Sequence, residues 1–186
     1  VVLGISVANA LYKRQGQLDR QARADILTQT GHLARMAEQG WETNRGLVED
    51  DMAGAATDPR VEAVLLLDDS GRVLAAHRTA WRGRLAADVL PGFDMHRFAQ
   101  VKQGRLPAFF TLSPDGSRVA AMQSFPLPAD SQQLRSQRQG VVYIGLDLTQ
   151  ARRAMRAFLF KARAPDLIIT LLLIGLLGWL LHRYLA

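Results

Sequence analysis

From Leu167 to Leu181 the chain reads Leu-Ile-Ile-Thr-Leu-Leu-Leu-Ile-Gly-Leu-Leu-Gly-Trp-Leu-Leu, without one charged residue. Extended from Asp166 to Leu185, the segment spans about 20 residues, or ~30 Å of helix, which matches the hydrocarbon core of a bilayer. A helix this uniformly apolar is covered either by lipid or by a large protein around it, and 186 residues favour lipid. Trp179 and Tyr184 sit toward one end, where interfacial aromatics belong, and Arg183 can reach headgroups. Pro165 suits a first helical turn, where its missing N–H costs little. Residues 166–186 are therefore expected to form a transmembrane helix. Residues 1–12 are apolar but too short to cross. They read as a truncated first transmembrane segment, or as the end of a signal peptide, since Ala8-Asn9-Ala10 has a small-x-small form.

The formal charge is +6 and the pI near 10.5. Arg152, Arg153, Arg156, Lys161 and Arg163 crowd a stretch with no acid among them, directly before the apolar run, and Lys13 and Arg14 follow the apolar start. Cations beside apolar spans meet lipid phosphates, to which they can snorkel, so membrane lipid is the expected partner and nucleic acid is not. The same charges, read by the positive-inside rule, would put the central region in the cytoplasm. Loops longer than about 60 residues, however, translocate largely regardless of charge. The chain has no cysteine, which excludes disulfides, thiolate chemistry and cysteine zinc sites.

Between the apolar ends lies a region of alternating signals. Residues 13–57 read as a long helix or stalk, with Leu18, Ala22, Ile26, Leu33, Ala37, Trp41, Val48 and Met52 on a helical stripe and a kink expected near Gly40. Such a stripe packs on its own domain or pairs with a second copy. Asp58-Pro59 ends the pattern. Val61–Asp68 and Arg72–Arg78 form a hairpin about an Asp69-Ser70-Gly71 turn. Asp94 caps a short helix through Lys102, with Gly104 beyond its end. Leu106–Leu112 and Arg118–Phe125 read as a second hairpin about Ser113-Pro114-Asp115-Gly116. Pro126–Gln139 reads as a long mobile loop, Val141–Leu148 as a last strand, and Thr149 as the start of a basic juxtamembrane helix at 149–165. About five mainly antiparallel strands with helices make residues 58–148 an α+β domain.

This order, built around Val-Glu-Ala-Val-Leu-Leu-Leu-Asp-Asp-Ser-Gly-Arg-Val-Leu-Ala-Ala-His-Arg at 61–78, resembles the periplasmic PAS-like sensors called PDC or Cache domains. These cap histidine kinases, chemoreceptors and diguanylate cyclases or phosphodiesterases. The resemblance is one of layout and covers nearly the whole chain. It implies an α+β fold with a long N-terminal helix, a PAS-like antiparallel sheet and an exit helix leading into a transmembrane helix. It also implies a place in the bacterial inner membrane, with residues 13–165 periplasmic, and assembly as a homodimer. No ligand-reading signature of the family is matched.

No catalytic constellation is present. His32, His77, His96 and His182 are far apart with no metal-ligand spacing. There is no nucleophile elbow, phosphate-cradling glycine loop or His-Glu-x-x-His, so neither enzyme, metal nor cofactor is expected. Asp50-Asp51 and Asp68-Asp69 are adjacent carboxylates that do not face one another, and the second pair belongs to a turn. A pocket between the concave face of the sheet and the short helix would draw on His77, Arg78, Trp81, Arg82, Arg84, Phe109 and Tyr143. Its arginines suit a small anionic ligand, and a periplasmic protein is the other partner the layout admits. Against this, the arginines also read as solvated loop charges, and Phe109 and Tyr143 as core. The functional alternatives are a sensory input region and a membrane-tethered binding or assembly protein without output.

Overall fold

The computed structural model describes the backbone of residues 2–128 and 138–185. It describes side chains from residue 16 onward, except at 18, 19, 155, 156, 159–171, 173, 181 and 185. The chain divides into two units, Val1–Asp147 and Leu148–Ala186.

In the first unit, α1 (Val2–Gly40) and α2 (Arg45–Ala55) precede β1 (Val61–Leu67) and β2 (Val73–Ala76). A 3₁₀ turn (Thr79–Trp81), α3 (Ala86–Val89) and α4 (Met95–Gly104) lead to β3 (Ala108–Thr111), β4 (Arg118–Pro126) and β5 (Gln139–Asp147). The five strands form one antiparallel sheet in the order β2-β1-β5-β4-β3. This is the α+β arrangement, with a long N-terminal helix, expected of a PAS-like sensor fold.

Each strand alternates its side chains between two faces, and both faces of the central strands are covered. That is why β1 and β5 read as continuous apolar runs rather than alternating ones. On one face, Ala63, Leu65, Leu67, Ala120, Met122, Val141 and Tyr143 pack with Phe98 and Val101 of α4 and with Ala86 and Leu90. On the other, α1 lies across β4 and β5. Its stripe of Ala22, Ile26, Leu33, Ala37 and Trp41 is buried along with Val64, Leu66, Val142 and Ile144 of the sheet. The stripe is thus spent on the protein's own sheet. Each of these larger side chains contributes roughly 1.5–3 kcal/mol by leaving water. Thr30, buried within the stripe, donates its hydroxyl to the Ile26 carbonyl at 2.6 Å, so no polar group is stranded there.

The turns follow from their polar residues. Asp68 Oδ1 accepts from the Ser70 and Arg72 backbone N–H groups, at 2.8 Å each, and from the Ser70 hydroxyl at 2.7 Å. Asp69 pairs instead with Arg138, whose Nη2 donates at 2.8 Å. Asp94 caps α4 by accepting from the His96 and Arg97 N–H groups. Gly104 does not lie beyond that helix but is its last residue, and Arg105 takes the left-handed position, at φ 54°. Pro126 and Gln139, expected in a loop, belong to β4 and β5, where they pair with one another. The loop expectation otherwise falls on 129–137, outside the described residues.

The second unit is the helix α5 (Thr149–Leu185). Its Phe158, Leu172, Ile174, Leu176, Leu177, Trp179 and Tyr184 are exposed. Among the described residues, no helix is long and apolar enough to cross a membrane. The truncated segment expected at 1–12 has no described side chains, and of the transmembrane helix expected at 166–186 the described side chains are those of 172, 174–180 and 182–184.

Candidate functional site

Of the seven residues singled out in the sequence, the structure gathers four. His77, Arg78, Trp81 and Arg82 cluster beyond the end of β2, at one edge of the sheet. The His77 and Trp81 rings meet edge to face at 5.2 Å, and the Arg78 guanidinium lies 4.8 Å from the centre of the Trp81 ring. Arg82 donates to the Leu74 carbonyl at 3.2 Å and is ion-paired with Glu49 of α2. The Val64 N–H donates to His77 Nδ1 at 3.2 Å, so the imidazole extends the β1–β2 ladder past the point where β2 stops. Burial pushes the His77 pKa below its ordinary value. A bond between the ring and the Val64 carbonyl works against this, and the Arg78 charge works with it. Every member of this cluster has structural work, which leaves little of it free to grip a ligand. Arg84 is exposed in the loop that follows.

The other two lie elsewhere. Phe109 is on β3, at the opposite edge from β2 and four strand spacings away, about 19 Å. There the Arg23 guanidinium covers its ring at 5.3 Å. Tyr143 is in the middle of β5, the central strand, on the face covered by α4.

Tyr143 heads a site of its own. Its side chain is 3% exposed and stacks at a tilt on Phe93, 5.7 Å between centroids. Its hydroxyl makes no hydrogen bond among the described residues. No side-chain nitrogen or oxygen described is both sealed from solvent and without a partner, so the hydroxyl oxygen keeps a sliver of solvent contact within the residue's 3% exposure. The phenol runs along its own strand over Gly145. A Cβ there would stand 3.2 Å from both the Tyr143 hydroxyl and its ring.

Gly145 pairs with Ala63 of β1 on one side and Ala120 of β4 on the other. Glu62 of β1 and Arg118 of β4, which is in register with Asp147 of β5, form a two-pronged ion pair across β5, with Arg118 Nε donating at 2.9 Å. A bulge between Val61 and Ala63 makes Glu62 the extra residue in its strand, and such a bulge re-aims a side chain. The Glu62 hydrogen bonds raise the Arg118 pKa. Burial, followed by the Glu62 charge, raises that of Tyr143 far above the usual phenol, with Arg118 acting in the opposite sense. Phenol, carboxylate and guanidinium therefore act on one another electrostatically.

Glu62 and Arg118 escaped the sequence reading. The available signal was Glu62 itself, the one charge inside an otherwise apolar strand, because a charge in such a place has a partner. Among the described residues no group of three or more His, Cys, Asp or Glu could hold a metal ion.

Comparison with known proteins returns matches in structure alone. No protein-family pattern matches the chain, and no curated protein matches it. Solved structures similar to it include the E. coli DcuS sensor domain, with 13% identity and a TM-score of 0.45 over 73% of this chain and 98% of that one. An extracellular ligand binding receptor from Desulfohalobium retbaense has 10% identity and a TM-score of 0.46, covering 74% of this chain and 24% of that one. The V. cholerae histidine kinase DctB sensor domain has 16% identity and a TM-score of 0.38, covering 76% and 57%. The chain thus spans nearly all of the first, about a quarter of the second and just over half of the third.

Proposed function

We propose that this chain is the extracytoplasmic sensing region of a membrane-bound signal-transduction receptor, and that the Tyr143–Glu62–Arg118 site takes a small anionic ligand. The observation that carries this reading is Tyr143. A phenol this buried, with its hydroxyl at the edge of solvent and no hydrogen-bond partner among the described residues, is a hydrogen-bond donor held ready for something else. An arriving carboxylate or phosphate accepts from Tyr143 and competes with Glu62 for Arg118, whose planar fork matches either group. That exchange supplies the differential interaction between two states that a switch requires.

Five residues separate Tyr143 from Thr149, the first residue of α5. The ligand-contacting strand is therefore continuous with the helix that carries the apolar segment. Exposed Leu172, Ile174, Leu176, Leu177 and Trp179 on that helix support a lipid-embedded anchor in the bacterial inner membrane, with residues 13–165 outside the cytoplasm. The output lies in a cytoplasmic domain outside this chain, and the receptor works as a homodimer.

The test is calorimetric titration of the full chain in neutral-lipid nanodiscs with a panel of small di- and tricarboxylates and phosphates. Saturable binding that is lost in Tyr143→Phe and in Arg118→Gln is the expected result. A ligand that binds equally well to both variants would place the sensing site elsewhere. A chain that binds no small ligand, and no cytoplasmic partner through its membrane anchor, would favour a tethered assembly protein.

A further inference from the structure

β3 closes the sheet at the edge opposite β2, and among the described residues its outer side has no neighbouring strand. Leu112 donates to the Arg118 carbonyl at 2.8 Å. In an antiparallel ladder, bonded pairs alternate with non-bonded ones. The register Phe109↔Ala121 and Thr111↔Val119 therefore turns the N–H and C=O groups of Phe109 and Thr111 outward. Beside this edge runs an open groove of about 720 Å³. It is lined by all of β3, by Leu106 and Pro107, and by Arg97, Gln100, Val101 and Gly104 of α4. Leu106 is 72% exposed on its rim.

Basic side chains border the groove. Arg97 stacks over the Phe110 ring at 5.0 Å, Arg23 over Phe109 at 5.3 Å, and Arg105 is exposed at the corner between α4 and β3. Asp94 offsets Arg97 through an ion pair at 3.2 Å, but among the described residues none that lines the groove itself is acidic.

We propose that the β3 edge is a docking site for an extended acidic segment of another protein, which adds to the sheet as a sixth strand. The edge supplies main-chain bonds, and the groove supplies pockets for alternate side chains, the two parts of strand-addition recognition. The basic rim selects the occupant. A second copy pairing β3 to β3 would bring two such rims together, whereas alternating apolar and acidic residues satisfy both groove and rim. This surface is separate from the Tyr143 site, so either stands if the other fails.

The test uses the full chain in phosphatidylcholine nanodiscs and a fluorescein-labelled peptide of alternating valine and glutamate, with a valine–lysine peptide as control. Thr111→Pro removes one outward N–H and spares the bonds to β4, a position where an edge strand tolerates proline. The valine–glutamate peptide is expected to bind saturably, more weakly at high salt, and to slow amide exchange at Phe109 and Thr111. Binding falls about tenfold in Thr111→Pro and also falls in Arg105→Glu, which reports on the rim even if the proline variant misfolds. The proposal is overturned if the valine–lysine peptide binds equally well or if neither substitution weakens binding. A Thr111→Cys chain that cross-links to itself while the wild-type chain ignores both peptides would overturn it in favour of a second copy.

Discussion

Replacing Tyr143 with Phe separates a residue kept for binding from one kept for stability. The ring fills space on the α4 face beside Phe93, and phenylalanine preserves that packing. What is lost is one hydroxyl that makes no hydrogen bond among the described residues. An intramolecular hydrogen bond contributes about 0.5–1.5 kcal/mol net, and a polar group taken from water without a partner costs about 1–3 kcal/mol. With no bond to lose and some desolvation to relieve, Tyr143→Phe should leave stability within about 0.5 kcal/mol of wild type or raise it. Met122→Ala, on the same face and fully buried, should cost about 2–5 kcal/mol. In a unit of this size 1 kcal/mol moves the Tm by roughly 3–6 °C, so thermal unfolding followed by near-ultraviolet circular dichroism distinguishes the two variants readily. A drop of about 4 °C or more in Tyr143→Phe would mean that the hydroxyl has structural work, and the argument for a waiting donor would fall with it.

Three further outcomes can be measured on the same preparation. Gly140→Ala would place a Cβ 2.5 Å from the Phe125 ring and 2.7 Å from the Leu67 carbonyl oxygen. The carbonyl is backbone and cannot swing away, so chemical denaturation should show a loss of about 1–3 kcal/mol. His77 has a folded-state pKa below the unfolded value of 6.5, so the neutral ring is the one the fold prefers. Its contribution is intact above pH 6.5 and is lost as the pH falls through the lowered folded value; a His77→Gln chain should lack that part of the acid-side decline. Asp94→Ala removes the α4 cap and should cost about 1 kcal/mol, with faster amide exchange at His96 and Arg97 as the local signature.

The strands were legible wherever burial was simple. β1 and β5 are covered on both faces, so their continuous apolar runs marked them, and Asp68 and Asp94 announced a turn and a helix start by chemistry that acts over a few residues. The 3₁₀ turn and α3 left no such trace, because they are held from a distance. Ala86 donates to the Gly71 carbonyl at 2.9 Å, and Val73 donates to that of Arg84, also at 2.9 Å, so the segment doubles back on β2 without a period of its own. The site was legible only in part for the same reason. Tyr143 stood out as an aromatic on an apolar strand, but nothing local places Phe109 and His77 at opposite edges of a sheet ordered β2-β1-β5-β4-β3. Glu62 and Arg118 are 56 positions apart and meet because that order leaves one strand between them.

β5 is bonded along both sides, to β1 and to β4, so it cannot slide alone without breaking two ladders. The Glu62–Arg118 pair spans the same three strands, joining β1 to β4 across β5. With its side chains about a third exposed, the pair itself is worth on the order of 1 kcal/mol or less, small enough for a ligand to exchange. Opening it leaves the ladders intact and changes only the tie across them.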